Sequence, residues 1–92
     1  MRRPEPGSLE KCMLFAEEFE SLRVSFDYQG HYLVYIPHLD KKVGSMLHNL
    51  SGRGVTLQDA CMDYAANCVG LLVYHPGESV CKRKEIVCIG LL

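Results

Sequence analysis

The sequence predicts an α+β domain, a small antiparallel sheet of about four or five strands packed by a main helix and an N-terminal helix. Three patterns predict this class: an apolar stripe at helical spacing over residues 57–69, strict alternation over residues 22–28, and short apolar runs separated by turn residues. The expected order of elements is α-β-β-(β)-α-β-β, with the helices covering one face of the sheet.

Length and composition indicate one folded unit. The chain has 92 residues, of which 48% are hydrophobic and 23% charged, and these values suit a globular chain with a single core. Residues 1–8 are rich in proline and glycine, and we expect a flexible N-terminal arm there. We expect residues 9–92 to form a single α+β domain.

The first helix is predicted from Leu9 to about Glu20, with Ser8 as its N-cap. Acidic residues occupy its last turn, where they oppose the negative end of the helix dipole. We therefore expect this end of the helix to fray. The predicted apolar face consists of Leu9, Cys12, Met13, Ala16 and Phe19.

The next two elements are predicted to form an antiparallel hairpin. Residues 22–28 alternate between apolar and polar, which is typical of a half-buried strand. Gln29-Gly30 is a candidate two-residue turn, and a second strand runs from His31 to Ile36. Residues 38–51 fit either a third strand or a short helical turn, and we favour the strand. The apolar side of the first strand carries Leu22, Val24, Phe26 and Tyr28.

The main helix has the clearest signal in the chain. Thr56 is a suitable N-cap, and Asp59 three residues later can complete a capping box. Gly70 stands where a left-handed C-cap residue belongs. Between them one apolar stripe repeats at helical spacing. It consists of Leu57, Ala60, Cys61, Tyr64, Ala65, Cys68 and Val69.

Two strands are predicted after this helix. Leu71 to Tyr74 is a short buried strand, residues 75–78 form a turn, and Glu85 to Ile89 is the final strand. A final apolar strand leaves a sheet edge exposed, and pairing with a second copy is a common way to protect such an edge. We therefore expect a homodimer.

Charge and hydropathy exclude two broad classes of partner. The net charge of −1 argues against a general nucleic-acid coat protein, which would be markedly basic. No apolar run reaches the ~18–20 residues that a membrane span needs, and residues 1–8 lack the apolar core of a signal peptide. We expect no membrane association and a cytoplasmic location.

The cysteines are predicted to be reduced and mostly structural. No Cys-x-x-Cys pair occurs, and free cysteine behaves as a small buried hydrophobe. Cys81 differs because Lys82, Arg83 and Lys84 follow it, and neighbouring cations lower a thiol pKa and raise its reactivity. A zinc site or a nucleophile involving His75 is a weaker alternative. Core packing is expected for Cys12, Cys61, Cys68 and Cys88.

No catalytic constellation is predicted. A metal-dependent nuclease needs converging carboxylates that hold Mg²⁺, and the four candidates are spread over a strand, a loop and one helix. The four histidines, at positions 31, 38, 48 and 75, fall near turns or loops, where exposure to solvent is the default. We therefore expect no enzyme activity, no cofactor and no metal. The carboxylates considered are Asp27, Asp40, Asp59 and Asp63.

Two segments resemble the HicB antitoxin family. The second strand and its end read Tyr32-Leu-Val-Tyr-Ile-Pro37, and the main helix opens with Gly54-Val-Thr-Leu-Gln-Asp-Ala60. The resemblance covers about Leu22 to Val73 and implies a partial RNase H-like fold of order β-β-β-α-β. It also implies that the protein binds and inhibits a partner enzyme, as an antitoxin or as a small phage-encoded inhibitor does.

The chain departs from that family at three places. Residues 37–44 stand where the family has a Leu-Pro-Gly-Cys-like step, the N-terminal helix is additional, and the last twenty residues read as strands rather than a DNA-binding tail. A weaker similarity to double-stranded-RNA-binding domains fails on charge. Those domains place lysines at the start of the last helix, where this chain has Gln58 and Asp59.

We therefore predict a non-catalytic, macromolecule-binding protein whose partner is a protein, such as a nuclease. Exposed tyrosines are good interface anchors, and the lysines at two predicted strand ends could complement an acidic partner. Direct nucleic-acid binding through Lys82, Arg83 and Lys84 is the alternative. The candidate partner-binding residues are Tyr28, Tyr32, Tyr35, Lys41, Lys42, Lys82, Arg83 and Lys84.

Overall fold

The α+β class is confirmed by a computed structural model, which describes residues 8–76 and 83–90. Within these residues, two helices accompany two antiparallel sheets, one of three strands and one of four. In chain order the elements are α1 (Ser8–Glu17), β1 (Arg23–Phe26), β2 (Tyr32–Tyr35), β3 (Leu39–Val43), β4 (Met46–Asn49), β5 (Gly52–Gly54), α2 (Leu57–Asn67), β6 (Gly70–Tyr74) and β7 (Lys84–Cys88).

The strands divide between two sheets, whereas the sequence predicted one. The three-stranded sheet has the order β1-β2-β5, and the four-stranded sheet has the order β4-β3-β6-β7. The division occurs after β2, where the Leu39 amide donates to the Ile36 carbonyl at 3.4 Å across a tight turn. Pro37 and His38 are the central residues, and His38 has a φ of 65°, a value that glycine usually provides in such a turn. The chain therefore leaves the first sheet at Pro37.

The sequence predicted one strand within residues 38–51, but this segment contains two strands, β3 and β4. Val43 pairs with Met46, so β3 and β4 are joined by a two-residue turn that begins at Gly44, with a φ of 61°. Residues 52–54 then return to the first sheet as β5, which pairs with β2. The β1–β2 connection also differs from the prediction, because the loop comprises residues 28–30 rather than Gln29-Gly30 alone.

The main helix begins as predicted and ends earlier. Thr56 is the N-cap, and its side-chain oxygen accepts from the Asp59 amide at 3.1 Å. The C-cap is Cys68, and Gly70 instead opens β6 with a φ of 127°. Val69 therefore lies beyond the helix, and it is 45% exposed. The buried part of the predicted stripe is Ala60, Cys61, Tyr64 and Cys68.

Helix α1 packs against α2 through a narrow face. Cys12 and Ala16 are buried, and the Cys12 thiol donates to the Cys61 carbonyl at 3.3 Å. Met13, predicted for the apolar face, is 54% exposed. The regular helix ends at Glu17 and continues as a loose turn to Phe19, in line with the expected fraying. Neither described helix is long and apolar enough to cross a membrane.

Of the predictions for the N-terminal segment, only the one for Ser8 concerns a described residue. Ser8 lies inside α1 rather than capping it, since the helix already includes this residue. The rest of the expected N-terminal arm, residues 1–7, lies outside the described residues.

The buried Cys68 thiol makes stability sensitive to alkaline pH. Burial, with a further contribution from the Cys88 thiol, raises the pKa of Cys68 from 9.0 to about 12. The unfolded chain loses this proton at lower pH than the folded chain. The stabilisation is therefore complete below pH ~9 and is lost as the pH rises toward about 12, on the order of 4 kcal/mol in all. Urea unfolding between about pH 8 and 12 measures this loss. Cys68→Ala should show a shallower pH dependence, and an equal slope in both proteins would contradict the assignment.

Candidate protein-binding surface

Strand β1 is exposed along its whole length, contrary to the half-buried strand predicted. Val24 is 49% exposed and Phe26 61%, although both lie on the predicted apolar side. The reason is the position of α2, which packs on β5 and β2. β1 lies one strand further out, at the edge of the sheet, so its apolar residues extend past the helix.

The other side of the three-stranded sheet faces away from α2. Val34 pairs with Gly52 and Tyr32 with Gly54, and both glycines lie against the α2 backbone. Because side chains alternate along a strand, the neighbouring positions point to the opposite side. We call this side the outer face. It consists of Arg23, Ser25, Leu33, Tyr35 and Arg53.

One end of the outer face is fixed by Asp27. Its Oδ1 accepts from the amides of Gln29 and His31, both at 2.9 Å, which closes the β1–β2 turn. Arg53 approaches from β5, and its Nε donates to Asp27 Oδ2 at 2.5 Å. The Arg53 amide donates to Asp63 Oδ2 at 2.9 Å and so ties the same residue to α2.

Arg53 also bonds to neighbouring side chains of the β1–β2 loop. Its Nη2 donates to Gln29 Oε1 and lies 2.6 Å from His31 Nδ1. A guanidinium has donors only, so Nδ1 is the acceptor in this contact. Desolvation alone would raise the pKa of Asp27, but the hydrogen bonds from the His31 amide, Arg53 and the Gln29 amide together hold it below its usual value. The hydrogen bonds that the Asp27 carboxylate accepts therefore hold this turn in place.

The three predicted tyrosines do not form one surface. Tyr35 lies on the outer face and is 39% exposed, and Tyr28 is 96% exposed at the tip of the β1–β2 turn. Tyr32 points to the α2 side, where it is half-buried with its ring 4.8 Å from that of Phe26. Of the two tyrosines in β2, the outer face therefore includes Tyr35 and excludes Tyr32.

The predicted basic residues belong to the other sheet and are also divided. Lys41 and Lys42 are consecutive in β3, so they point to opposite sides of the four-stranded sheet. Lys42 pairs with Glu85 at 3.2 Å, which offsets its charge. Arg83 and Lys84 are exposed at the start of β7, two strands from β3. Lys82 lies outside the described residues.

Two histidines and two carboxylates form a cluster that has no signature in the sequence. His75 Nε2 lies 2.6 Å from Asp40 Oδ2, the His38 ring is 6.0 Å from the His75 ring, and Glu20 lies 3.8 Å from His38. The β3–β6 pairing brings these distant positions together, and no local pattern marks them. A carboxylate can orient an imidazole for proton transfer, but here the contacts also tie the end of β6 to β3. In residues 8–76 and 83–90, no group of three His, Cys, Asp or Glu side chains is placed to hold a metal ion.

The cysteines occupy the core as predicted. Cys12, Cys61, Cys68 and Cys88 are free and buried. The hydrogen bond with Cys61 and burial raise the pKa of the Cys12 thiol, which keeps it protonated and unreactive. Cys81 lies outside the described residues, so its predicted reactivity stays a prediction.

Comparison with known proteins identifies no relative. The chain matches no protein-family model, and neither the curated proteins nor the solved structures gave a match. The HicB resemblance therefore stays a prediction that rests on the two segments quoted above.

Proposed function

We propose that this protein is a non-catalytic binding module that inhibits a partner enzyme by covering its active site. One observation carries the proposal: an entire side of the three-stranded sheet, the outer face, lies opposite the helix that covers the sheet, and it presents Tyr35 and Arg23. Tyrosine and arginine, together with tryptophan, are enriched among energetically dominant interface contacts. Tyr28, which is 96% exposed, lies in the β1–β2 loop beyond the end of this face.

The proposed mechanism is steric. The bonded network around Asp27 holds the end of the outer face in one conformation, so little ordering is needed on binding. A rigid sheet surface of this kind can occlude an active-site cleft without contributing any reacting group. A nuclease is the partner class that the HicB resemblance suggests.

The proposal includes a homodimer in a reducing, cytoplasmic setting. The four buried free cysteines in the described residues support the reducing setting, because disulfides dominate in oxidising compartments. The open edge at β1 supports the dimer. Nucleic-acid binding is the less favoured alternative, since Lys41 and Lys42 diverge and Lys42 is paired with Glu85.

A variant at Tyr35 tests the proposal. The tagged full chain is used to isolate partners from the cells that produce it, and any enzyme recovered is assayed with increasing amounts of the protein. We expect inhibition to saturate at a fixed stoichiometry and to weaken by about tenfold or more in Tyr35→Ala, the loss expected of a central anchor. Met46→Ala removes an exposed residue of the other sheet and should inhibit like the unaltered chain.

Two results would contradict the proposal. One is recovery of nucleic acid whose binding is lost in the triple variant Lys82→Ala, Arg83→Ala, Lys84→Ala, since that assigns function to the basic residues. The other is a partner enzyme whose activity is unchanged at saturating protein, since that removes the inhibitory role.

A further inference from the structure

The free edge of β1 offers hydrogen-bonding groups at two residues. The Asp27 amide donates to the His31 carbonyl at 3.0 Å, which marks residue 27 as bonded to β2. In an antiparallel pair, bonded and non-bonded positions alternate, so Ser25 and Arg23 also bond across to β2. The N–H and C=O groups of Val24 and Phe26 must then point away from β2, toward the open edge.

We propose that a second copy of this chain occupies this edge, with its β1 antiparallel to the first and the two-fold axis at Ser25. The inference rests on the dimer named in the proposed function and assigns its interface. A register that places Val24 opposite Ser25 of the second copy is excluded, because the groups of Ser25 already bond to β2.

Of the remaining registers, the one centred on Ser25 uses every free group. Val24 lies opposite Phe26 of the second copy, and Phe26 lies opposite its Val24, so both residues of both copies are paired. Sliding either way by two residues leaves only one pair inside the strand Arg23–Phe26. The full pairing forms about four N–H···O bonds between the copies.

The side chains match in the same register. On the α2 side, each exposed Val24 meets an exposed Phe26, which buries apolar surface that α2 leaves uncovered. On the outer face, Arg23 lies opposite Asp27 of the second copy, so opposite charges face each other. Ser25 meets Ser25 on the axis, where two small side chains fit.

The proposed dimer has a consequence for binding. Its two three-stranded sheets become one continuous sheet of order β5-β2-β1-β1-β2-β5, built by extending the strand order of each copy. The two outer faces then lie side by side and double the surface offered to a partner. Each open β1 edge, which would otherwise invite non-specific pairing, is covered.

Disulfide trapping tests the register. Ser25→Cys is made in a Cys81→Ser background and oxidised mildly in the full chain. Directly opposed, non-bonded residues have Cα atoms about 4.5 Å apart, within the range that a disulfide spans. We expect mostly covalent dimer. Arg23→Cys is the matched control, since each copy's residue 23 lies about four residues from the other and cannot be bridged.

A second measurement addresses association itself. Light scattering should give twice the 10.4 kDa mass of one chain. Phe26→Lys, at a position exposed in the single chain, should give the monomer mass while keeping its far-UV circular dichroism. A monomeric parent chain, or equal crosslinking through Arg23→Cys, overturns the inference. Inhibition that depends on Tyr35 would survive that outcome, so the dimer and the binding function fail separately.

Discussion

Replacing Gly52 with alanine is expected to unfold the protein or to lower its free energy of unfolding by about 3 kcal/mol or more. A Cβ at this position would lie 2.1 Å from the Ala60 carbonyl oxygen and 2.5 Å from both the backbone nitrogen and the Cβ of Tyr64. These are mainly backbone atoms of α2, so the helix as a whole must move away from β5. Urea unfolding followed by far-UV circular dichroism measures the loss.

Gly44→Ala is the matched control for this experiment. A Cβ at Gly44 meets nothing within 4 Å, so the only cost is its φ of 61° in the β3–β4 turn. That cost is about 1–2 kcal/mol. Similar losses in the two variants would show that α2 does not approach β5 as closely as described.

Replacing Tyr64 with phenylalanine is expected to lower the free energy of unfolding by about 1–3 kcal/mol. Tyr64 is fully buried, and its hydroxyl accepts from the Ile36 amide at 3.0 Å. The variant keeps the ring and leaves no large cavity, so the loss reports the desolvated Ile36 amide that has lost its partner. The midpoint of urea unfolding and its slope give the value.

Tyr28→Phe serves as the comparison for Tyr64→Phe. The chemical change is identical, but Tyr28 is 96% exposed, so its hydroxyl hydrogen-bonds to water in both the folded and the unfolded chain. Its effect should stay within about 0.5 kcal/mol. If Tyr64→Phe were as stable as Tyr28→Phe, the buried bond to Ile36 would be excluded as a stabilising contact.

Both large effects concern the same contact, the packing of α2 on the three-stranded sheet. Gly52 allows the helix to approach β5, and Tyr64 reaches from the helix to the residue that follows β2. This packing covers one side of the sheet and leaves the outer face on the other. The stability of the protein and the position of the proposed binding surface therefore both depend on the packing of α2 on this sheet.

Much of the secondary structure could be predicted because its causes are local. The Thr56 cap, the buried positions of α2 and the early end of α1 follow from interactions within a few residues. The α+β class follows from the same local periodicities. Burial of the four cysteines was predictable for a similar reason, since they fall within apolar patterns.

The candidate surface was less predictable because it depends on distant residues. Arg53 carries no local signal in the sequence, yet it binds Asp27 and His31, which precede it by more than twenty residues. The sequence does not distinguish Tyr32 from Tyr35 as interface residues, because the pairing of β2 with β5 decides which side α2 covers. The His75–Asp40 contact likewise requires the β3–β6 register.

The local pattern of β1 specifies which of its residues share a side, because alternation is a property of the strand. The exposure of that side follows from the packing of elements that are distant in the chain. The division into two sheets at Pro37 places β1 at an edge, and α2 is centred on β5 and β2, so its cover stops short of Val24 and Phe26. A local pattern specifies the side to which a side chain points, but burial requires a second element in contact with that side.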